Sequence, residues 1–357
     1  MDKFVTYMDK WKYTFCLLLF ASCSENRNIF NANEVVFDSF EKEFSLHAQN
    51  VNFDSTLQAP INVFYFDDYL LYKHNRGPYF FSIFSLKSNR LVGRFLQHGR
   101  GPNEFADLSF FDEYSIQNQE RWLYLSAINE RRVLKFNLTD YLKSGATNIE
   151  LLNQHEDLQM NTHVINDSTF LAYMYTNSDN DFRIFYLKYS STSDTRKEIN
   201  LTVNKITDYE EFNKLWAAEY IRQDKKKMAM AMLHMNRIHI FDLEEPKNNI
   251  TLTPKGQGYI SLKELAHQDP LQTAIYYNGV KTTQDHIFAL FQNRLISDQP
   301  EQLKTVEMHV FNWDGFPQYK LHIDEYLSGF CIDQSRKIMY AFDYEENIYI
   351  YDLSQIL

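Results

Sequence analysis

Six times along this chain an alternating run of apolar and polar residues meets a short polar turn and is answered by a second alternating run. The first copy spans Ile61 to Phe95, with Asp67-Asp68 and Ser88-Asn89 at its turns. The others span Tyr114 to Leu138, His163 to Leu201, Glu219 to Leu252, Ala274 to Ile323 and Phe330 to Leu353. Alternation with period two puts every second side chain on one face, as in a half-buried strand. Several copies close alike: Val133 to Leu138, Ile238 to Leu243, His309 to Trp313 and Tyr349 to Leu353 each run into Asn or Asp. Such copies cannot bury an apolar face alone and must stack on their neighbours. About 320 residues over six copies leave roughly 54 for each, close to a four-stranded propeller blade with its loops. The expected fold is all-β, a six-bladed β-propeller over residues 34–357. Seven blades or paired β-sandwiches are the alternative arrangements of these strands, although no linker marks a midpoint between two sandwiches.

Composition agrees with strands. Aromatic residues make up 16% of the chain, with 29 Phe and 24 Tyr against only 10 Gly, and aromatic side chains fit a pleated, half-buried surface. Helix is expected only at Tyr209 to Tyr220, where Phe212, Leu215 and Trp216 share a face, and for a turn at Ser261 to His267. The net charge is −11, and the segment before Cys23 holds three Lys and two Asp, so the remainder is near −12. An acidic chain without a basic stripe argues against a nucleic-acid partner.

The first residues read as an address. Lys3, Lys10 and Lys12 precede the apolar run Thr14 to Phe20, which is followed by Ala21-Ser22-Cys23. The run is short of the roughly 20 residues a membrane span needs and has the layout of a secretory signal. Ala-Ser-Cys after an apolar run resembles the lipobox of bacterial lipoproteins. That resemblance implies cleavage before Cys23 and a lipid on it, with Phe20 standing where the pattern usually has Leu. Residues 1–22 are then a signal peptide and 23–33 a polar tether. The protein is expected to be exported and lipid-anchored in the cell envelope, at the outer membrane, through Cys23. Met8-Asp9-Lys10 echoes Met1-Asp2-Lys3, so two start positions fit. Cys16 falls in the signal and Cys23 takes lipid, leaving Cys331 as the one other cysteine. No disulfide or cysteine-based zinc site is then available to the mature chain.

The sharpest internal motif is Gly99-Arg100-Gly101-Pro102-Asn103-Glu104-Phe105. Two Gly and a Pro within four residues force an irregular turn. Two readings stand: an inter-blade loop in which Gly supplies positive φ and Glu104 caps backbone donors, or a channel-mouth loop in which Arg100, Gly101, Pro102 and Glu104 contact ligand. The glycine spacing is not that of a P-loop. Behind a lipobox and ahead of further strand repeats, this motif resembles the six-bladed TolB-like propeller lipoproteins of Bacteroides-type bacteria. That family usually has Gly where Asn103 stands, and Asn tolerates the same left-handed backbone. The resemblance covers residues 34–357 and implies an exported propeller without assigned catalytic residues.

Catalytic signatures are missing from the sequence: it has neither a His-Glu-x-x-His helix nor a Gly-x-Ser-x-Gly elbow. His234 and His239 flank a turn and His309 lies in a strand, all read as structural, and no metal or cofactor is expected. Lys225-Lys226-Lys227 reads as a solvated hairpin tip, and Met228, Met230 and Met232 as core. Trp216, Tyr276-Tyr277 and Trp313 are candidates for stacking on a sugar. The expectation is a binding or scaffold module with a protein or glycan ligand on a propeller face. Its alternative is a channel-centred lyase or hydrolase, metal-assisted where His, Asp or Glu converge within metal reach in the channel; aromatics and backbone loops at the mouth favour binding.

Overall fold

The computed structural model describes residues 29–54, 57–101, 103–110, 112–155, 162–178, 181–201, 206, 208–256, 261–299 and 302–357. Cys23, with the signal peptide and most of the tether expected before the fold, lies outside them. Among the described residues the strands form six sheets.

The N-terminal segment supplies β1 (Asn33–Phe37), β2 (Lys42–Leu46) and β3 (Gln49–Val51). Blade I is β4 (Pro60–Phe66), β5 (Tyr69–His74), β6 (Tyr79–Ser85), β7 (Arg90–His98) and the two-residue β8 (Glu104–Phe105). Blade II is β9 (Tyr114–Gln117), β10 (Glu120–Ala127), β11 (Arg132–Asn137) and β12 (Ile149–Gln154). Blade III is β13 (Thr162–Asn166), β14 (Thr169–Ser178), β15 (Asp181–Ser190) and β16 (Thr195–Asn200). Blade IV is β17 (Ala217–Ile221), β18 (Lys227–Met232), β19 (Ile238–Asp242) and β20 (Ile250–Pro254). Blade V is β21 (Ala274–Thr282), β22 (His286–Leu295), β23 (Val306–Asn312) and β24 (Pro317–Ile323). Blade VI takes β25 (Gly329–Asp333), β26 (Ile338–Phe342) and β27 (Ile348–Asp352) from the end of the chain. Apart from the parallel β8 that ends blade I, the blades' own strands run as antiparallel meanders, and the first strands of blades IV, V, VI and I meet at the centre: β17 lies against β21, β21 against β25 and β25 against β4.

Blade VI has three strands of its own, and β3 pairs antiparallel with β27 to complete it. The ring is therefore closed by joining the two ends of the chain. Upstream, β1 pairs parallel with β20 and β2 pairs parallel with β24. One N-terminal strap thus adds an outer strand to three successive blades and covers edges that would otherwise stay open. Phe37 packs on Phe311, and Phe40 on His309 and Phe311. Lys255 Nζ pairs with Asp38 at 2.6 Å, and Glu43 with His322 at 2.9 Å. Ile29 and Phe30 are already buried, with Phe30 against His239 and Phe241. Packing on the propeller therefore begins inside the segment read from sequence as a tether, because these two apolar side chains find a pocket on blade IV.

The core lies between blades. Met228, Met230 and Met232 enter the cluster shared with blade III, while Ala229 and Ala231, on the opposite face, enter the one shared with blade V. Those small residues admit Tyr277 and Phe291 from the next blade. Helix is shorter at one site than the sequence suggests: α2 covers Tyr209–Asn213 only, and Ala217–Ile221 is the innermost strand of blade IV. The apolar spacing there served a buried turn and then a strand. α3 (Leu262–Ala266) forms as expected, closed by a Ser261–Glu264 capping box. An unexpected helix, α1 (Leu138–Ser144), follows β11, with Asn137 as N-cap and Gly145 at φ 75° ending it.

Candidate functional site

The Gly-Arg-Gly-Pro element lies on the outer side of blade I. After β7 the chain turns, and β8 pairs parallel with Gln97 and His98. Glu104 Oε2 accepts the Gly101 N–H at 2.8 Å, so the acid caps the loop's own backbone. Positive φ falls on Asn103 (62°) and Leu96 (56°), not on Gly99 or Gly101. Gly99 leaves room for the Glu104 carboxylate instead: a Cβ there would sit 2.0 Å from Glu104 Oε2 and push that side chain aside. Asn103 takes the left-handed conformation its side chain tolerates. Arg100 is exposed, and Pro102 lies outside the described residues. Neither channel cavity is lined by Arg100, Gly101 or Glu104.

Among the described residues, two cavities open along the propeller axis. The larger, of about 690 Å³, lies at the carboxyl ends of β4, β17, β21 and β25; the smaller, of about 190 Å³, lies at the amino ends of β4, β17 and β25 and against Asn278 to Lys281 of β21. Tyr220 and Lys281 line both, so their network separates the two. Lys281 Nζ donates to Asp112 Oδ2 at 2.8 Å and to Asn62 Oδ1 at 3.1 Å. The Tyr220 hydroxyl donates to the same Asp112 oxygen at 2.5 Å. The ammonium also lies over the Phe64 and Tyr220 rings, an arrangement that favours a desolvated cation. Burial pushes the Asp112 carboxyl up, against the pull of Lys281 and the Tyr220 hydroxyl.

Beside this plug sits a second buried cluster. His163, fully buried on β13, places Nδ1 2.8 Å from Glu113 Oε1 and Nε2 3.2 Å from Glu219 Oε2. The other Glu113 oxygen accepts the Val164 N–H. Burial alone would lower the imidazole, but the Glu113 and Glu219 carboxylates outweigh it and hold His163 at about 9. The pairing ties the inner strands of blades III and IV to the residue just before β9 of blade II. Acids and a base do therefore converge at the channel, but on one another. Among the described residues no three of His, Cys, Asp or Glu come together to hold a metal ion.

At the mouth of the larger cavity Arg121 chelates Asp67, with the guanidinium 5.3 Å from the Phe66 and Tyr114 ring centroids. Asp333 is buried; its Oδ1 caps the turn through the Ser335 and Arg336 N–H groups, and its Oδ2 lies 3.7 Å from Arg336 Nε. Cys331 lines the wall as a buried thiol that burial keeps protonated.

Of the aromatics expected to stack on a sugar, Tyr277 and Trp313 are buried. The Tyr277 hydroxyl is committed to Asn236 and His309, and Trp313 Nε1 donates to the Thr283 carbonyl. Trp216 is exposed but borders neither cavity. His239 is buried with Nδ1 on Thr251, and His309 contacts Tyr277, as structural histidines do. Lys225 reaches the larger cavity, whereas Lys226 pairs with Glu244 and Lys227 donates to the Trp313 carbonyl.

Asp112, Glu113, His163, Glu219 and Lys281 were not singled out as site residues from sequence. A signal existed: Glu113, His163 and Glu219 are separated by 50 and 56 residues, one blade each, so they hold similar inner-strand positions.

The family described as TolB-like 6-blade propeller-like matches residues 37–335. No curated protein matches the chain. A solved structure from Bacteroides fragilis NCTC 9343, of a protein described as a candidate for export, is similar with a TM-score of 0.52 and 13% identity, covering 87% of this chain and 98% of that one. A member of the DUF4221 family from Bacteroides vulgatus ATCC 8482 also has a TM-score of 0.52, with 11% identity and coverage of 91% and 98%. At such identities the likeness is one of fold. Among the described residues no helix is long and apolar enough to cross a membrane.

Proposed function

The chain belongs to the TolB-like six-blade propeller family, and from that premise we propose that it is an exported, lipid-anchored module of the cell envelope that binds a ligand at one mouth of its channel. The observation that carries the binding reading is the larger cavity. Its volume of about 690 Å³ lies within the range of roughly 300–1,000 Å³ typical of ligand sites. Aromatic walls and a few placed polar groups line it, as such sites require. The channel acids and bases neutralise one another, which is how a structural network is built, and a lyase or hydrolase reading draws no support from them.

Export and anchoring are supported by the Lys-flanked apolar run ending at Cys23. A structural relative described as a candidate exported protein is consistent with this. We place the lipid on Cys23 and the protein at the outer membrane, with the strap beginning at Ile29 holding the propeller close to that anchor. Labelling cells with a clickable fatty acid tests the anchor: the wild-type protein takes label and Cys23→Ala does not. Label on both, or on neither, rules the anchor out. Thermal-shift screening of the full-length protein in detergent against glycan, peptide and metabolite libraries tests the binding role. Stabilisation without turnover is expected; turnover of a stabilising compound would overturn the binding-only reading.

A further inference from the structure

We propose that the propeller docks on the bilayer through the face at the amino ends of its innermost strands, where an apolar patch across blades III, IV and V enters the interface of zwitterionic phospholipids. This rests on the lipid anchor proposed above and states which face that anchor brings to the membrane.

On this face Tyr209, Trp216 and Leu271 are 60%, 54% and 58% exposed, and Tyr175 and Ile296 are exposed beside them. Their place follows from register. Trp216 directly precedes β17, and Leu271 comes shortly before β21. Ile296 follows Leu295, which pairs with Ala274 at the start of β21. Tyr175 lies beyond Ala172, the partner of Thr162 at the start of β13. Contacts join these residues. The Tyr175 and Tyr209 rings lie 5.0 and 5.9 Å from the ring of Phe212 on α2. Lys214 Nζ donates to Thr273 Oγ1 at 3.4 Å. The Thr273 and Leu271 carbonyls accept the Ile296 and Ser297 N–H groups. Single exposed apolar side chains are ordinary, whereas a joined patch marks an interaction surface.

The anchor selects lipid as the occupant. Ile29 and Phe30 belong to the same buried cluster as Phe212 and Leu215, the residues beneath Tyr209 and next to Trp216. Six residues lead from Cys23 to Ile29, and fully extended they reach about 20 Å. A lipid on Cys23 is therefore held within that distance of the cluster under the patch. Trp and Tyr favour the headgroup level of a bilayer, and a lipid chain with a second contact holds a protein there more firmly than the chain alone. The surroundings are not basic: Glu210, Glu264 and Asp269 are exposed against Lys263, so zwitterionic rather than anionic headgroups fit. The exposed Tyr114, Ile116 and Phe316 lie at the other end, divided between the larger cavity and the β23–β24 turn. Docked in this way, the propeller turns the larger cavity toward the water and leaves its ligand free access.

Trp216 serves as the probe. Trp122 and Trp313 are buried, and Trp11 lies in the signal segment. The full-length, lipid-modified protein is reconstituted into phosphatidylcholine nanodiscs with plain or brominated acyl chains, and emission is compared for wild type and Trp216→Phe. The difference, which is the Trp216 emission, is expected to shift to shorter wavelength in plain discs and to be quenched in brominated ones. Disc-bound protein whose Trp216 emission is neither shifted nor quenched would overturn the docking face while leaving the anchor intact. Protein left outside the discs would overturn both. A second measurement uses amide exchange: discs are expected to slow it at 209–216 in wild type. Trp216→Ser combined with Leu271→Ser, two surface changes, should keep the melting temperature and stay on the discs through its lipid, yet lose that slowing. Slowing that survives the double variant would count against the patch. A double variant that lowers the number of chains per disc would assign the patch to a second copy of this chain and overturn lipid as its occupant.

Discussion

His163 gives the sharpest handle on the energetics. It is the buried cation that links blades II, III and IV, and its folded pKa of about 9 stands above the ordinary 6.5. The folded protein therefore holds a proton that the unfolded chain releases between those values. Stability from this site is fully present below pH 6.5 and is lost as pH rises through about 9. The shift corresponds to about 3 kcal/mol at roughly 1.4 kcal/mol per unit. Unfolding entropy of about 2.1 cal/mol/K per residue over about 330 ordered residues converts this to about 4 °C in melting temperature. His163→Gln leaves Glu113 and Glu219 buried without their cation, and breaking a buried pair costs about 3–5 kcal/mol. At pH 6.5 the variant should melt about 4–7 °C below wild type; at pH 9.5 most of that gap should close, because wild type has lost the same charge. Lys73, which burial holds down to about 8, titrates in the opposite sense above that pH, but it is common to both proteins and cancels in the difference. The assay is scanning calorimetry of both proteins from pH 6 to 10. A gap that stays constant within a degree across that range would refute a charged His163.

Other perturbations separate the channel, the core and the strap. Lys281→Met should destabilise by about 3–5 kcal/mol by stranding Asp112, and adding Asp112→Leu should recover much of the loss, since an apolar pair replaces a buried ion pair nearly neutrally; denaturation of both variants checks this. Tyr72 is fully buried with a hydroxyl that meets no partner. Tyr72→Phe should therefore raise stability by about 1 kcal/mol, and a lowered melting temperature would count against it. Phe30→Ala should cost about 3 kcal/mol and speed amide exchange at Asn33–Phe37, which the strap holds against β20; unchanged exchange there would show that Phe30 does not anchor the strap.

The blades were legible because alternation is local: each of the six copies read from sequence falls within one observed blade, and the Met228–Met232 face was assigned correctly. Two kinds of feature were not. The strap was missed because β1, β2 and β3 are short, polar-faced strands whose partners lie more than 200 residues away. The sixth copy nevertheless carried a clue, being one strand short. The extended helix at Tyr209 to Tyr220 failed because apolar spacing cannot separate a helix from a buried turn followed by a strand. The channel network escaped for a different reason. Motif reading seeks reactive residues close in sequence, whereas a propeller brings together residues one blade apart. The Gly-Arg-Gly-Pro loop drew attention through its composition, yet its polar groups bond mainly within the loop.

Hydrogen exchange of the protein, with and without a ligand that raises its melting temperature, tests the account most directly. Binding at the channel mouth should slow exchange at 64–67, 112–116, 281–283 and 331–335, four segments far apart in sequence that meet only there. Protection confined to the outer strands or to the loop at 99–105 would contradict a ligand site in the channel.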